Sequence, residues 1–147
     1  MPKQLLIDLL TKYEVPFTLE QVNILLGFMD DTLSSNKKFN LTAIKDEKEF
    51  VEKMIFDSVL PLSFLDLNER KVIDIGTGAG FPGLALKILS PKCHMTLLDA
   101  TKKKVDRLDL YSKSIGMSCK CVNARAEQFS RLHKEEYNYV TARAVSS

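Results

Sequence analysis

The chain has 147 residues, 45% of them hydrophobic and 27% charged, with a formal net charge of +2. That is the composition of one ordinary globular domain, long enough to bury a core without disulfides or a structural metal. No stretch approaches the roughly 18–20 apolar residues of a membrane span, and MPKQLLIDLL lacks the pattern of a secretory signal, so a membrane protein, a secreted disulfide scaffold and a disordered tail are excluded and a cytoplasmic setting is expected.

The first helix is expected over residues 3–13, with Leu5, Leu6, Leu9 and Leu10 on one face and Val15-Pro16 as its end. Thr18 opens a second. Thr18 and Gln21 have capping-box spacing, Phe17 and Val22 fit a hydrophobic staple, and Ser34-Ser35-Asn36 is the expected stop. Asp46 with Glu49 signals a third helix, through about Leu60 and stopped by Pro61. Residues 1–65 therefore read as a helical segment.

The pattern changes at Arg70. Val72 to Ile75 is a short β-branched run, expected to be a buried strand. Strands are also expected over His94–Leu98 (finishing at Asp99), Cys119–Val122 and Tyr137–Ala142, with helices over Leu84–Leu89, 101–115 and Ala126–Leu132 between them. In the second of these helices Val105, Leu108, Ser112 and Ile115 point inward, and Gly116 is its C-terminal cap. Alternating strands and crossover helices predict an α/β fold with a parallel sheet and right-handed connections.

Three cysteines, Cys93, Cys119 and Cys121, cannot all pair. Cys119 and Cys121 would share a face in a strand. With no second Cys/His pair at zinc spacing and His94 and His133 isolated, they read as reduced, buried, apolar-like side chains, and no metal site is expected. Charge is uneven: residues 1–100 carry 11 basic and 14 acidic side chains, residues 101–147 carry 10 basic and 5 acidic. The basic part, including Lys102, Lys103, Lys104, Arg107, Lys113, Lys120, Arg125, Arg131 and Arg143, is either a footprint for a phosphate-rich partner or a solvated helix face.

Residues 74–83 read DIGTGAGFPG, with four glycines in ten positions between a strand and a helix. Such a loop turns sharply and lets a ligand approach the backbone at the carboxyl ends of parallel strands. Gly78 to Gly83 also matches G-x-G-x-x-G, with Asp99 at the distance of a ribose-binding acid, so a dinucleotide is a competing ligand. Pro82 removes an N–H that a pyrophosphate would use, and Phe81 adds bulk to the loop. Asp74 at the end of the strand suits a cationic ligand, or serves only to fix the turn. S-adenosylmethionine (SAM) has an ammonium, a sulfonium and no phosphate, and Asp99 is placed to hold its ribose.

DIGTGAGFPG resembles motif I of Rossmann-like (class I) SAM-dependent methyltransferases. Together with NLTAI (Asn40–Ile44), LLDA (Leu97–Ala100), ARAE (Ala124–Glu127) and TARAV (Thr141–Val145), it is similar to the RsmG family, also called GidB. That family methylates N7 of a guanine in bacterial 16S ribosomal RNA. The resemblance implies that Gly76 and Phe81 contact SAM from the loop. It places Asp99, with Ala100 and Thr101, at the ribose, Ala126 and Glu127 at the adenine, and Arg143 on the substrate side. The packing alternatives are a helix staple for Phe81, a surface helix residue for Glu127 and an ion pair with Asp74 or Glu127 for Arg143. Guanine N7 has no proton to remove, so no general base is expected and catalysis would be positioning and electrostatics. Phe39 and Phe81 are the candidates for stacking on the base.

The family's sheet has seven strands, the first four in the order 3-2-1-4, and this sequence supplies those four. The division expected is 1–65, a helical segment, and 66–147, a SAM-binding Rossmann-like half-domain, incomplete at its C-terminus by on the order of 60–90 residues at about 30 per strand–helix unit. The fourth strand is then an exposed edge through which copies could associate, and methyl transfer would be weak. The partner expected is 16S rRNA in the small ribosomal subunit. An NAD(P)-binding oxidoreductase domain and a non-catalytic RNA-binding fragment are the alternatives.

Overall fold

The computed structural model describes residues 1–132 and 136–142. Helix α1 (Pro2–Lys12) starts on a proline, whose fixed φ suits a first helical turn, and buries Leu6 and Leu10. Helix α2 (Leu19–Phe39) has the expected capping box. The Gln21 amide donates to Thr18 Oγ1 at 3.1 Å and the Thr18 amide to Gln21 Oε1 at 2.9 Å. Its inward stripe is Val22, Leu25, Phe28, Met29 and Thr32.

The expected stop at Ser34-Ser35-Asn36 is overrun, and α2 continues to Phe39. Serine and asparagine disfavour a helix interior only mildly. Asn36 acts one turn later instead: its Oδ1 accepts from the Leu41 and Thr42 amides at 2.7 and 2.9 Å, while Asn40 ends the helix in the left-handed conformation. A second correction concerns Pro61. Helix α3 (Glu47–Phe50), capped by Asp46, runs on through a π-helical stretch (Val51–Phe56) into α4 (Asp57–Val59) and a 3-10 turn (Leu60–Ser63). Pro61 lies in the first turn of that last segment, where a proline's missing N–H has no helical partner to lose. Phe50, Val51, Met54, Ile55 and Val59 are buried along this path.

Strands β1 (Lys71–Ile75), β2 (His94–Asp99), β3 (Lys120–Asn123) and β4 (Tyr139–Thr141) form a parallel sheet in the order β3-β2-β1-β4. Helices α5 (Gly83–Leu89), α6 (Lys102–Ser114) and α7 (Ala126–Leu132) make the crossovers. The sheet has the α/β, Rossmann-like character expected. Cys119 falls just before β3, not in it, yet it and Cys121 both pack against the larger core. On its outer side β4 has no strand partner among the described residues, and Val140 is 62% exposed.

Side chains alternate along β1, so the two sheet faces carry different cores. Val72 faces α5 and belongs to the larger cluster, which also takes in Leu6, Leu25, Phe28, Phe50, Leu84, Leu97 and Leu108. Ile73 faces the other way, with Leu98 and Phe129 of α7. The N-terminal helices and the first sheet face thus share one core. Its centre is aromatic: Phe28 stacks on Phe81 with centroids 4.5 Å apart and planes 3° from parallel, and Phe50 meets Phe81 edge-on at 5.4 Å. Replacing Phe28 with alanine is expected to lower the unfolding free energy by about 3–5 kcal/mol. The exposed Leu19→Ala change is expected to stay within about 0.5 kcal/mol. Urea melts of the two variants check the contrast, and equal small losses would contradict a shared core.

Candidate functional site

The carboxyl ends of β1, β2 and β3 converge on the glycine-rich loop, and Asp74 fixes its shape. This carboxylate, on the penultimate residue of β1, is fully buried. Its Oδ2 accepts from Thr77 Oγ1 at 2.6 Å and from the Gly83 amide at 2.8 Å, while Oδ1 accepts from Thr141 Oγ1 at 3.0 Å. One side chain therefore ties the start of the loop, the start of α5 and β4 together. Of the two roles the sequence left open, Asp74 takes the turn-fixing one.

The four loop glycines divide into two pairs. A Cβ on Gly83 would run into the Leu97 and Asp74 side chains, and one on Gly80 would meet Leu108 and Phe28 at 2.7 and 2.8 Å. Packing leaves no room for a Cβ at either position, and Gly80 also has a φ of +104°. Gly76 and Gly78 have φ of +69° and +54°, and among the described residues a Cβ on Gly76 would meet nothing within 4 Å. The open side of the loop is therefore at Gly76, beyond the end of β1.

Asp99 faces this opening from the end of β2. Its Oδ2 accepts from the Gly78 amide at 2.8 Å and its Oδ1 from the Thr101 amide at 2.9 Å. Each carboxylate oxygen keeps a further lone pair for a ligand. Ala100 and Thr101 follow, both exposed, with Thr101 opening α6. The end of β3 joins through the Asp99 carbonyl, which accepts from the Ala124 amide and from Asn123 Nδ2, each at 3.1 Å. Asn123 had no sequence signal; only the β2–β3 register brings it here. Ala126, half-buried, and Glu127, exposed, open α7 beyond that strand. The structure thus brings Gly76, Gly78, Asp99, Ala100 and Thr101 to one edge, with Ala126 and Glu127 on its β3 side.

Phe81 differs from its expected place. Its ring is 2% exposed and lies in the aromatic stack with Phe28 and Phe50. It cannot stack on a base, its bulk does not obstruct the ligand side, and only its backbone remains for a ligand contact. Phe39 is half-buried, with Lys38 Nζ 5.4 Å from the ring centroid. Arg143 lies outside the described residues.

The basic run on α6 also resolves. Lys102 pairs with Asp106 at 2.7 Å and Lys113 with Asp109 at 3.1 Å, both exposed i,i+4 pairs of a solvated helix face. Arg107 is not part of that face. Its side chain is 6% exposed and its Nη2 donates to Asp31 at 2.6 Å. Nothing in the local sequence separates it from its lysine neighbours except its place on the Val105–Leu108 stripe.

Burial pushes the thiols of Cys93 and Cys121 up to about 11 and that of Cys119 up to about 12, from 9.0. They are neutral thiols at neutral pH, Cys93 and Cys119 in the larger core and Cys121 packed against it. Because the folded values are raised, their stabilising contribution is complete below pH 9 and is lost as pH climbs toward 11–12, where unfolded thiols ionise first. The urea midpoint is expected to fall between pH 8.5 and pH 10.5 (roughly the window set by an ordinary thiol), and to fall less in a variant with all three cysteines changed to alanine. Identical pH profiles would contradict this assignment.

Comparison with known proteins bears on the same residues. The family model for GidB, rRNA small subunit methyltransferase G, matches residues 21–147. Ribosomal RNA small subunit methyltransferase G of Alkaliphilus metalliredigens (strain QYMF) is 43% identical over 131 residues, covering 86% of this chain and 55% of the relative. The proteins of that name from Oenococcus oeni and Thermotoga neapolitana are each 37% identical, over 94% and 95% of this chain and 59% and 60% of their own lengths. The chain spans less than two thirds of the length of these curated relatives. With its glycine loop, its strand-end acid and a family match over most of its residues, the chain belongs to the GidB (rRNA small subunit methyltransferase G) family.

Proposed function

We propose that this chain is a SAM-dependent methyltransferase acting on N7 of a guanine in 16S rRNA of the small ribosomal subunit, in the cytoplasm. The observation that carries the cofactor assignment is the division among the loop glycines. Gly80 and Gly83 are taken up by packing, whereas a Cβ on Gly76 would meet nothing within 4 Å among the described residues, two positions from Gly78, whose amide donates to the strand-end acid Asp99.

The N-terminus of α5 favours SAM over a dinucleotide. A pyrophosphate needs free N–H groups there. Pro82 has none, the Gly83 amide donates to the buried Asp74 carboxylate, and the Leu84 amide donates to the Gly80 carbonyl at 2.8 Å. The helix start already faces an internal anion, so a second anion in that place would be repelled. A ligand without phosphate suits this edge. Asp99 would accept from ribose hydroxyls through its remaining lone pairs, bordered by Ala100 and Thr101. Ala126 and Glu127 would flank the adenine, and Gly76, with the Phe81 backbone, would border the amino-acid portion. Arg143 is assigned to the substrate side by family likeness alone.

Bound SAM would supply an activated methyl group on its sulfonium. The target N7 offers an in-plane lone pair, so the residues of the site need only hold and orient the cofactor beside the base and exclude water. No residue is assigned as a general base. The rRNA substrate is supported by the relatives, which are ribosomal RNA small subunit methyltransferases.

Calorimetric titration with SAM and with NADH tests the cofactor. SAM is expected to bind and NADH not, and the reverse would overturn the assignment. Asp99→Ala is expected to weaken SAM by about 10–100-fold, the loss of about one charge-assisted hydrogen bond. Methionine, which has no ribose, should lose less. Equal losses for both ligands would leave Asp99 with only its loop-holding role.

A further inference from the structure

Besides the Asp74 contacts, three hydrogen bonds hold the glycine loop. The Thr77 amide donates to the Leu98 carbonyl at 3.0 Å, and the Gly78 amide donates to Asp99 at 2.8 Å. Both anchors belong to the end of β2. The third comes from the opposite side of the loop: Arg107 Nη1 of α6 donates to the Ala79 carbonyl at 3.1 Å. Arg107 is in turn held by α2. Its Nη2 donates to Asp31 Oδ2 at 2.6 Å and to Thr32 Oγ1 at 3.2 Å, and the Thr32 hydroxyl donates to the Phe28 carbonyl at 2.8 Å. Phe28 and Leu108, one residue beyond Arg107, also form the wall that leaves no room for a Cβ at Gly80.

We propose that Arg107, oriented by Asp31, is a positioning residue for the cofactor loop, so that the N-terminal helix α2 sets the shape of the cradle at Gly76 and Gly78. The inference rests on the SAM reading above.

Stability alone gives a poor reason for this arrangement. A guanidinium removed from water loses more hydration than a single ion pair returns, and well-packed apolar residues often serve a core as well or better. Here the Nε atom is buried with no hydrogen-bond partner among the described residues, so these leave the group short of full satisfaction. What the guanidinium does that an apolar side chain cannot is reach two elements at once, with donors in fixed directions. Turning the Ala79 carbonyl back toward α6 constrains the peptides on either side of it. Gly78, whose amide meets Asp99, is the residue just before. Fixing these peptides in advance removes an ordering cost from ligand binding.

The test compares Arg107→Met, Arg107→Lys and Asp31→Asn with the parent chain, in two measurements. The first is amide hydrogen exchange without ligand. In Arg107→Met the Gly78 and Gly80 amides are expected to exchange about tenfold faster or more, while the β1 and β2 amides keep their protection. The second is SAM affinity at a temperature where circular dichroism shows each variant folded. Arg107→Met is expected to lose about tenfold or more. Arg107→Lys keeps the charge beside Asp31 but has no planar fork to reach Ala79 as well. It should recover thermal stability without recovering affinity. Asp31→Asn, on the half-exposed partner, should fold and fall between parent and Arg107→Met.

A purely structural Arg107 would lower the melting temperature and leave the exchange pattern and SAM affinity of the folded protein unchanged, which would overturn the proposal. If Arg107→Met does not fold, Asp31→Asn decides on the same two readouts. If the parent chain does not bind SAM, selective exchange at Gly78 and Gly80 still distinguishes a loop clamp from none, and it is the cofactor reading that falls.

Discussion

The Asp74 carboxylate is the constraint on which the rest of the site depends. A charge taken fully out of water must find its partners inside the protein. Asp74 finds them in the Thr77 hydroxyl, the Gly83 amide and the Thr141 hydroxyl. Those groups belong to the loop after β1, to the first residue of α5 and to β4. Their convergence on one side chain bends residues 76–82 into a closed turn above β1. It also requires glycine at position 83, where a Cβ would strike Asp74 itself. The helix dipole of α5 is thereby answered from within, and in the proposed reading the ligand surface lies at Gly76, Gly78 and the Asp99 carboxylate. One buried acid determines both where the opening lies and which charge it disfavours.

The back of the loop depends on a different force. Phe81 leaves the loop for the core, where Phe28 of α2 and the Phe50 ring enclose it. Polar contacts to β2 hold the front of the loop, and aromatic packing with the Arg107 bridge holds its rear. The helices of residues 1–65 are thus continuous with the sheet's larger core. They complete the wall behind the glycine-rich loop.

Much of this architecture was legible in the sequence, because its signals are local. The capping box at Thr18, the β-branched run at Val72–Ile75, the Val105–Leu108–Ser112 stripe and Gly116 each depend on neighbours within a turn or two. The strand order came from family likeness and agrees with the sheet. The features that escaped depend on distant parts of the chain. Phe81 could not be assigned to the core before α2 was placed against the loop. Arg107 is indistinguishable by charge from the solvated lysines around it, and only Asp31, 76 positions away, accounts for its burial. Asn36 and Pro61 misled because side chains that end a helix in one setting can lie within, or restart, a helical path in another.

Mapping backbone amide chemical shifts on adding SAM tests the central claim most directly. If the opening lies where Asp74 puts it, the amides of Gly76, Gly78, Ala100 and Thr101 will shift, while those of Gly83 and Leu84, already committed to Asp74 and Gly80, will stay in place. Shifts concentrated at Gly83 and Leu84, with Gly76 and Gly78 undisturbed, would place the ligand on the helix start and contradict the account.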